Sequence, residues 1–364
     1  MKPPIVLGFL CAALLAGCGG TNGAGVSPAS APASTAASAK PAASASAAAS
    51  ARPASSPSAG ASGLPTVTMA YSEIVGVHTT EWGAKEAGIF EKNGLNVNVQ
   101  LIESSLGVGA LLSGQTQVGS MGGSEMLAAA VNGADLVAYA TMSPVYPYKF
   151  EATAAIKTPA DLKGKKIGIS RIGSSSDIAT RAWFKTVGIN PDTDVTIVQI
   201  GSLQARTAAL KNGALDGAMA STTDAPELEA SGLHPLVDLA AAKLPAVNDC
   251  VIASRAWVAA NHDIMQKFID SIMEVYPRVK SDKAFDFDIF RKYLKLTDEK
   301  ALQANYDYYV GQVIPQQPFP NQDGFKDALD VLAKQNPKAN GFDVSTVVDS
   351  SFVKSAVDRG IGQK

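Results

Sequence analysis

The sequence predicts an α/β protein built as two equivalent lobes, and three observations point there. A strand, helix, strand unit follows a low-complexity leader. The same order of signals returns roughly a hundred residues later, and the last third reads as helices with no sheet of their own.

The first unit begins with Thr66 to Tyr71, a β-branched strand that runs into the polar turn Ser72-Glu73-Ile74. A helix follows through Trp82 and Phe90 and stops at Asn93-Gly94. Leu95 to Leu101 then alternates apolar with polar, the period of a half-buried strand. The second unit repeats this: strand Lys166-Ile167-Gly168-Ile169, turn Ser170-Arg171-Ile172, a helix through Trp183 and Phe184, then Gly188-Ile189-Asn190. Phe90-x-x-x-Gly94-Leu95-Asn96 is echoed by Phe184-x-x-x-Gly188-Ile189-Asn190, and Ala110-Leu111-x-x-Gly114 by Ala209-Leu210-x-x-Gly213. Each half then passes through a short strand into a small-residue turn, Gly122-Gly123-Ser124-Glu125 in one and Ser221-Thr222-Thr223-Asp224 in the other. Repeated units of this kind imply mainly parallel sheets covered by helices. Beyond Val251-Ile252-Ala253, Ile264, Phe268, Ile272 and Tyr276 lie at spacing four, one apolar helix face that needs a sheet to cover.

The start of the chain predicts where the protein works. Lys2 and the apolar run from Ile5 to Leu15 form an export signal, too short for a spanning helix of about 20 apolar residues. Leu15-Ala16-Gly17-Cys18 looks like the lipobox of bacterial lipoproteins, in which the cysteine is lipidated and becomes the new N-terminus. Residues 1–17 are therefore expected to be a removed signal peptide, Cys18 the lipidation site, and residues 18–63 a tether. That tether is almost entirely Ala, Ser, Pro, Gly and Thr, which cannot bury enough apolar surface to offset its ordering entropy.

From Leu64 onward 28 Lys and Arg face 33 Asp and Glu, a net charge of −5 without the basic patch expected of a nucleic-acid binder. Only Cys250 lies in this part, so no intrachain disulfide is available and stability must come from packing. No Cys-x-x-Cys, His-Glu-x-x-His or phosphate-loop motif occurs, and Gly122-Gly123-Ser124-Glu125-Met126 misses the nucleophile-elbow pattern at its last position. No metal or cofactor is expected.

Three stretches carry a family resemblance: Glu86-Ala87-Gly88-Ile89-Phe90-Glu91-Lys92-Asn93-Gly94-Leu95, Thr158-Pro159-Ala160-Asp161-Leu162-Lys163-Gly164-Lys165-Lys166-Ile167-Gly168, and Asn212-Gly213-Ala214-Leu215-Asp216-Gly217. Over roughly residues 65 to 280 the chain resembles the solute-binding proteins of ABC importers for nitrate, sulfonate, taurine and thiamine-precursor pyrimidines. The resemblance implies a type II periplasmic-binding-protein fold, with lobe 1 at 64–143 plus 250–364, lobe 2 at 144–249, and a two-segment hinge. It implies a monomeric receptor outside the cytoplasm, held at a membrane by its lipid, that carries a small anionic organic solute to an ABC permease and its ATPase. A sensor lipoprotein is the alternative. Fungal pyrimidine synthases share the fold, but their cysteine-rich motif is absent here.

Ligands of open α/β sheets sit beyond the carboxyl ends of strands, where helix N-termini point free N–H groups. That rule selects four turns. The first lobe contributes Ser72 to Thr79, with Ser72 and His78 as candidates, and the turn carrying Gly123 and Ser124. The second contributes Gly173, Ser174, Ser175 and Ser176, suited to a carboxylate, sulfonate or phosphate group, and the turn carrying Thr222 and Asp224. Simple N-capping is the competing role for the serines. Tyr71, Tyr146 and Tyr148 are candidates to stack on a ring or to pack the core.

Overall fold

The computed structural model describes residues 63–363. The signal segment, Cys18 and the tether up to residue 62 lie outside the described residues.

Strand β1 (Thr66–Tyr71) pairs in parallel with β2 (Asn96–Leu101), setting Val67 beside Val97 and Met69 beside Val99. The helical stretch between them breaks into α1 (Thr79–Glu86) and α2 (Ile89–Lys92). Gly88 makes the break: its φ of 66° is left-handed backbone that glycine adopts without a Cβ penalty. After α3 (Ser104–Ser113) comes β3 (Val118–Met121), parallel to β1, and then α4 (Gly123–Val131) and β4 (Leu136–Val145).

The chain crosses through residues 146–148 to β5 (Lys149–Ala152), β6 (Lys166–Ile169), α5 (Ser175–Val187), β7 (Thr196–Gln199), α6 (Leu203–Lys211), β8 (Gly217–Ala220), α7 (Ala225–Ala230) and β9 (His234–Asp238). It returns through residues 239–244 to β10 (Pro245–Ser254).

Two five-stranded sheets result, ordered β2-β1-β3-β10-β4 and β7-β6-β8-β5-β9. In each, four strands point one way and one runs against its neighbours: β10 between β3 and β4, β5 between β8 and β9. The reversed strand of each sheet is reached by a crossover from the other, so two segments join the lobes. The match between the strand orders is the structural counterpart of the sequence echo. Strand β10 begins at Pro245 and pairs with β4 from there, inside the range 144–249 given to the second lobe. A returning antiparallel strand carries no helix-to-strand punctuation, so its start is not marked in the sequence.

The remainder is helical: α8 (Arg255–Ala260), α9 (His262–Ser281), α10 (Lys283–Tyr293), α11 (Glu299–Asn305), a π-helical segment (Tyr306–Val313), α12 (Lys326–Ala333) and α13 (Ser351–Asp358). On α9, Phe268, Ile272 and Tyr276 are buried and Ile264 is half-buried, with Phe90 stacked on Phe268 at 5.4 Å. Each such side chain contributes about 1.5–3 kcal/mol of burial. Helices without a sheet thus cover the first sheet. A second apolar cluster runs from Met121 and Ile252 of the first sheet through Phe325 and Val331 to Phe150 and Trp183 of the second. Among the described residues no helix is long and apolar enough to cross a membrane.

Candidate functional site

A cavity of about 290 Å³ lies where the two sheets' strand ends meet. Its wall is made of residues just past the carboxyl ends of β1 (Ser72, Glu73), β2 (Glu103), β3 (Gly122), β6 (Ser170, Arg171) and β7 (Gly201, Ser202), as the open-sheet rule requires. Ser174, Ser175 and Ser176 complete it from the start of α5, Arg206 from α6, Tyr148 from the crossover, and Asn248 and Asp249 from β10.

The serine turn is built as a helix start. Ser174 caps α5 through a bond from the Asp177 N–H (3.4 Å), and Ser176 Oγ accepts from the Ser170 N–H (2.9 Å). Gly173 precedes the cap, off the cavity wall, and donates its N–H to Asp177 Oδ2 (2.9 Å). The donors at Ser175 are engaged. Its N–H reaches Glu125 Oε1 at 3.2 Å and its hydroxyl donates to Glu125 Oε2 at 3.0 Å. Ser124 Oγ donates to the same Oε2 (2.8 Å) and lies 3.1 Å from Ser175 Oγ. The N-terminus expected to hold a solute anion therefore holds the first lobe's own carboxylate. Gly122 permits the approach, since a Cβ there would overlap both the Glu125 carboxylate and the Ser175 hydroxyl. Gly123 backs onto the Val247 carbonyl, where a Cβ would come within 2.7 Å.

His78 is fully buried behind the first-lobe wall. Its Nδ1 is 3.7 Å from Glu81 Oε1 and its Nε2 3.7 Å from Asp249 Oδ1, while Ser120 Oγ donates to Glu81 Oε1 (2.7 Å). Burial works to lower the His78 pKa, but the Glu81 hydrogen bond and the Asp249 charge outweigh it and the net shift is upward. His78 Nε2 has no hydrogen-bond partner among the described residues, and Asp249, with a φ of 48°, lines the cavity with its pKa raised by burial. Asn248 Nδ2 donates to Asp249 Oδ2 (2.8 Å), which leaves Asn248 Oδ1 buried with no partner among the described residues. Burial also pushes Glu73 up to about 7 against the opposing pull of Arg206.

Arg206 is the buried cation of the site, 1 % exposed. Its Nη1 donates to the Gly201 carbonyl (2.9 Å) and its Nε to Met219 O (3.4 Å), while Nη2 is buried without a partner among the described residues. No carboxylate lies within 4 Å of it among those residues. A buried donor left open is costly, of order 1–3 kcal/mol or more for a charged group.

Thr222 and Asp224 lie off the cavity. Thr223 Oγ1 donates to Asn305 Oδ1 (2.7 Å), Asp224 accepts from Thr207 Oγ1 (3.0 Å), and Thr222 Oγ1 is buried. Tyr309, just beyond Asn305, packs so closely on Gly76 that a Cβ there would overlap its ring. The start of the π-helical segment thus stands between the first lobe and this turn.

Of the residues singled out from sequence, the structure brings Ser72, Ser174, Ser175 and Ser176 to the cavity wall; Ser124 touches Ser175 beside it, and His78 lies behind it. Tyr148 joins the wall, Tyr146 is buried in the core, and Tyr71 packs on His78 and Trp82 at 5.3 and 5.4 Å. Sequence reasoning missed Arg206, Asn248 and Asp249. Arg206 did carry a signal: with Leu203 and Leu210 it occupies the i, i+3, i+7 stripe of a helix, an apolar-face position for a charged residue.

The comparisons with known proteins agree with this architecture. A family model described as NMT1/THI5-like matches residues 76–280. A putative binding protein of Brucella abortus is 24 % identical over 258 residues, covering 64 % of this chain and 75 % of that one. Among solved structures, the periplasmic sulfonate-binding protein SsuA of Methylobacillus flagellatus superposes with a TM-score of 0.65 at 19 % identity, covering 82 % of this chain and 96 % of that one. The periplasmic nitrate-binding protein NrtA of Synechocystis does so at 0.63 and 13 % identity, covering 81 % and 88 %. With the family model spanning more than half of it, the chain belongs to the NMT1/THI5-like family.

Proposed function

We propose that this protein is an extracytoplasmic solute receptor that captures a small organic solute between its lobes and presents it to an ABC importer. The observation that carries the reading is the interlobe cavity with Arg206 among its lining residues, a buried guanidinium whose Nη2 has no partner among the described residues. A buried guanidinium group with an unfilled donor is costly in an empty site and favourable once a solute oxygen reaches it. The family and the sulfonate- and nitrate-binding structural neighbours support the same role. The two crossovers, residues 146–148 and 239–244, would serve as the hinge, and binding would favour closure because the solute touches both walls only in the closed form. The protein acts by binding rather than by turnover. The signal Leu15 to Cys18 supports a lipid anchor on Cys18, with the Ala/Ser/Pro-rich stretch as a tether that lets the receptor reach its permease.

A thermal-shift screen of sulfonates, nitrate, carboxylates and pyrimidines tests the receptor. A true ligand at a hundred times its Kd adds about 2.7 kcal/mol of stability, and is recovered chemically unchanged. Conversion of the ligand on incubation would replace the receptor with an enzyme. Arg206→Ala, checked for folding, is expected to weaken binding at least tenfold. Separately, Cys18→Ala should release the exported protein from membranes; continued partitioning would remove the anchor.

A further inference from the structure

The charges on the cavity wall are sorted by lobe. Every carboxylate on it belongs to the first lobe: Glu73, Glu103, Glu125 and Asp249. Both guanidinium groups, Arg171 and Arg206, belong to the second. Glu103 and Arg171 are exposed, and Glu125 is spent on Ser175. That leaves Glu73 and Asp249 against Arg206 in the interior. The open hydrogen-bonding atoms follow the same division. Asn248 Oδ1 on the first lobe is a buried acceptor without a donor, and Arg206 Nη2 on the second is a buried donor without an acceptor. The two walls are within electrostatic reach, since Arg206 acts on the Glu73 carboxyl, yet no ion pair within 4 Å closes the gap among the described residues.

Resting on the receptor reading above, we infer that the captured solute is dipolar, with an acid group on Arg206 and an ammonium or other N–H-rich cation against Asn248, Glu73 and Asp249. A simple anion satisfies Arg206 but brings no partner to Glu73 and Asp249 at its other end, two carboxyl groups whose pKa values burial raises and which a cation beside them would hold ionised. Of the helix N-termini on the wall, that of α5 is already occupied by Glu125, and that of α6, at Ser202, Leu203 and Gln204, belongs with Arg206 to the second lobe, where it favours the acid end of a solute. A simple cation satisfies the first lobe and leaves the guanidinium open. Only a solute carrying both ends gives each lobe its partner, and it does so only when the lobes are together. The sorted walls therefore couple selectivity to closure: half a solute engages half a cleft. His78 supports this arrangement from behind. Its imidazole lies 3.7 Å from Asp249 Oδ1 and 3.7 Å from Glu81 Oε1, one ring between two carboxyl groups.

The experiment compares matched probes by isothermal titration calorimetry on the mature protein: 3-aminopropane-1-sulfonate, propane-1-sulfonate and propylamine, followed by amino-carboxylate, carboxylate and amine sets of graded length. Within any set that binds, the dipolar member is expected to bind at least tenfold tighter than either single-charge member. The Glu73→Gln, Asp249→Asn double variant should shrink that preference to under threefold while keeping the anion's affinity. Asparagine tolerates the backbone at position 249, and thermal unfolding checks that the variant folds. Arg206→Lys should weaken dipolar and anionic probes alike. An anion binding as tightly as its dipolar counterpart overturns this inference and leaves the receptor standing. A protein that takes none of the probes in any charge class loses both readings.

Discussion

Two hydroxyl-bearing turns of the second lobe carry the same sequence signal and have opposite surroundings. Residues 173–176 and 221–224 each follow a strand and lead into a helix, and Ser174 and Ser221 each accept a backbone N–H three residues on. Yet the first turn lines the cavity, and the second packs on the π-helical part of the chain, with Thr223 bonded to Asn305 82 positions away. The difference lies across the gap. Opposite Ser175 the first lobe presents Gly122, too small to block, and Glu125, whose carboxylate takes the helix N–H. Opposite Thr222 and Thr223 stand Asn305, Tyr308 and Tyr309, side chains large enough to fill that part of the cleft. A helix start offers donors; the facing surface decides whether a solute, a carboxylate or a tyrosine meets them.

Removing the group across from the first turn should have the largest effect. Glu125→Ala leaves the Ser175 N–H and the Ser124 and Ser175 hydroxyls without their common acceptor, a loss of about 1.5–3 kcal/mol in urea unfolding. Unaltered stability would mean that this contact does not hold the lobes together. Ser175→Ala should cost less, about 0.5–1.5 kcal/mol, because the backbone N–H bond to Glu125 survives.

The second turn should respond through pH. Burial raises the Asp224 pKa, outweighing the bonds from Thr207 and Ser221. A carboxyl raised on folding contributes stability that is full below the unfolded carboxylate range and is lost as pH rises through the folded value. Asp224→Asn should therefore gain in Tm relative to the parent as pH goes from 4 to 7. The reverse trend would show that the two hydroxyl bonds dominate. Smallest of all, Thr222→Val replaces a buried hydroxyl that has no hydrogen-bond partner among the described residues, so stability should stay within about 0.5 kcal/mol and solute affinity should not move. A tenfold loss of affinity in Thr222→Val would place this turn back at the solute.

Much of the fold was legible from periodicity and punctuation. The alternation in Asn96 to Leu101 and the apolar stripe of α9 report local geometry directly, and the echo of Phe90 and Phe184 with their glycines marks two lobes of matching strand order. The site was legible in part. Ser72 and the serines of α5 follow strand ends, which local signals reveal. Arg206 sits mid-helix and Asp249 within a strand, and neither position says what lies opposite.

The amino-acid sequence alone determined the strand and helix order, the doubled architecture, the helix starts that line the second lobe, and the export and lipidation signal expected at Cys18. Only the tertiary structure decided which of those helix starts remain open to a solute, that Glu125 occupies the N-terminus of α5, and that the walls are sorted into an acidic and a basic face. The physical reason is range. Secondary structure follows from spacings of two to four residues, whereas the Glu125 to Ser175 contact joins groups 50 positions apart. Whether such a donor meets solute or protein depends on how two separately built sheets come to face each other.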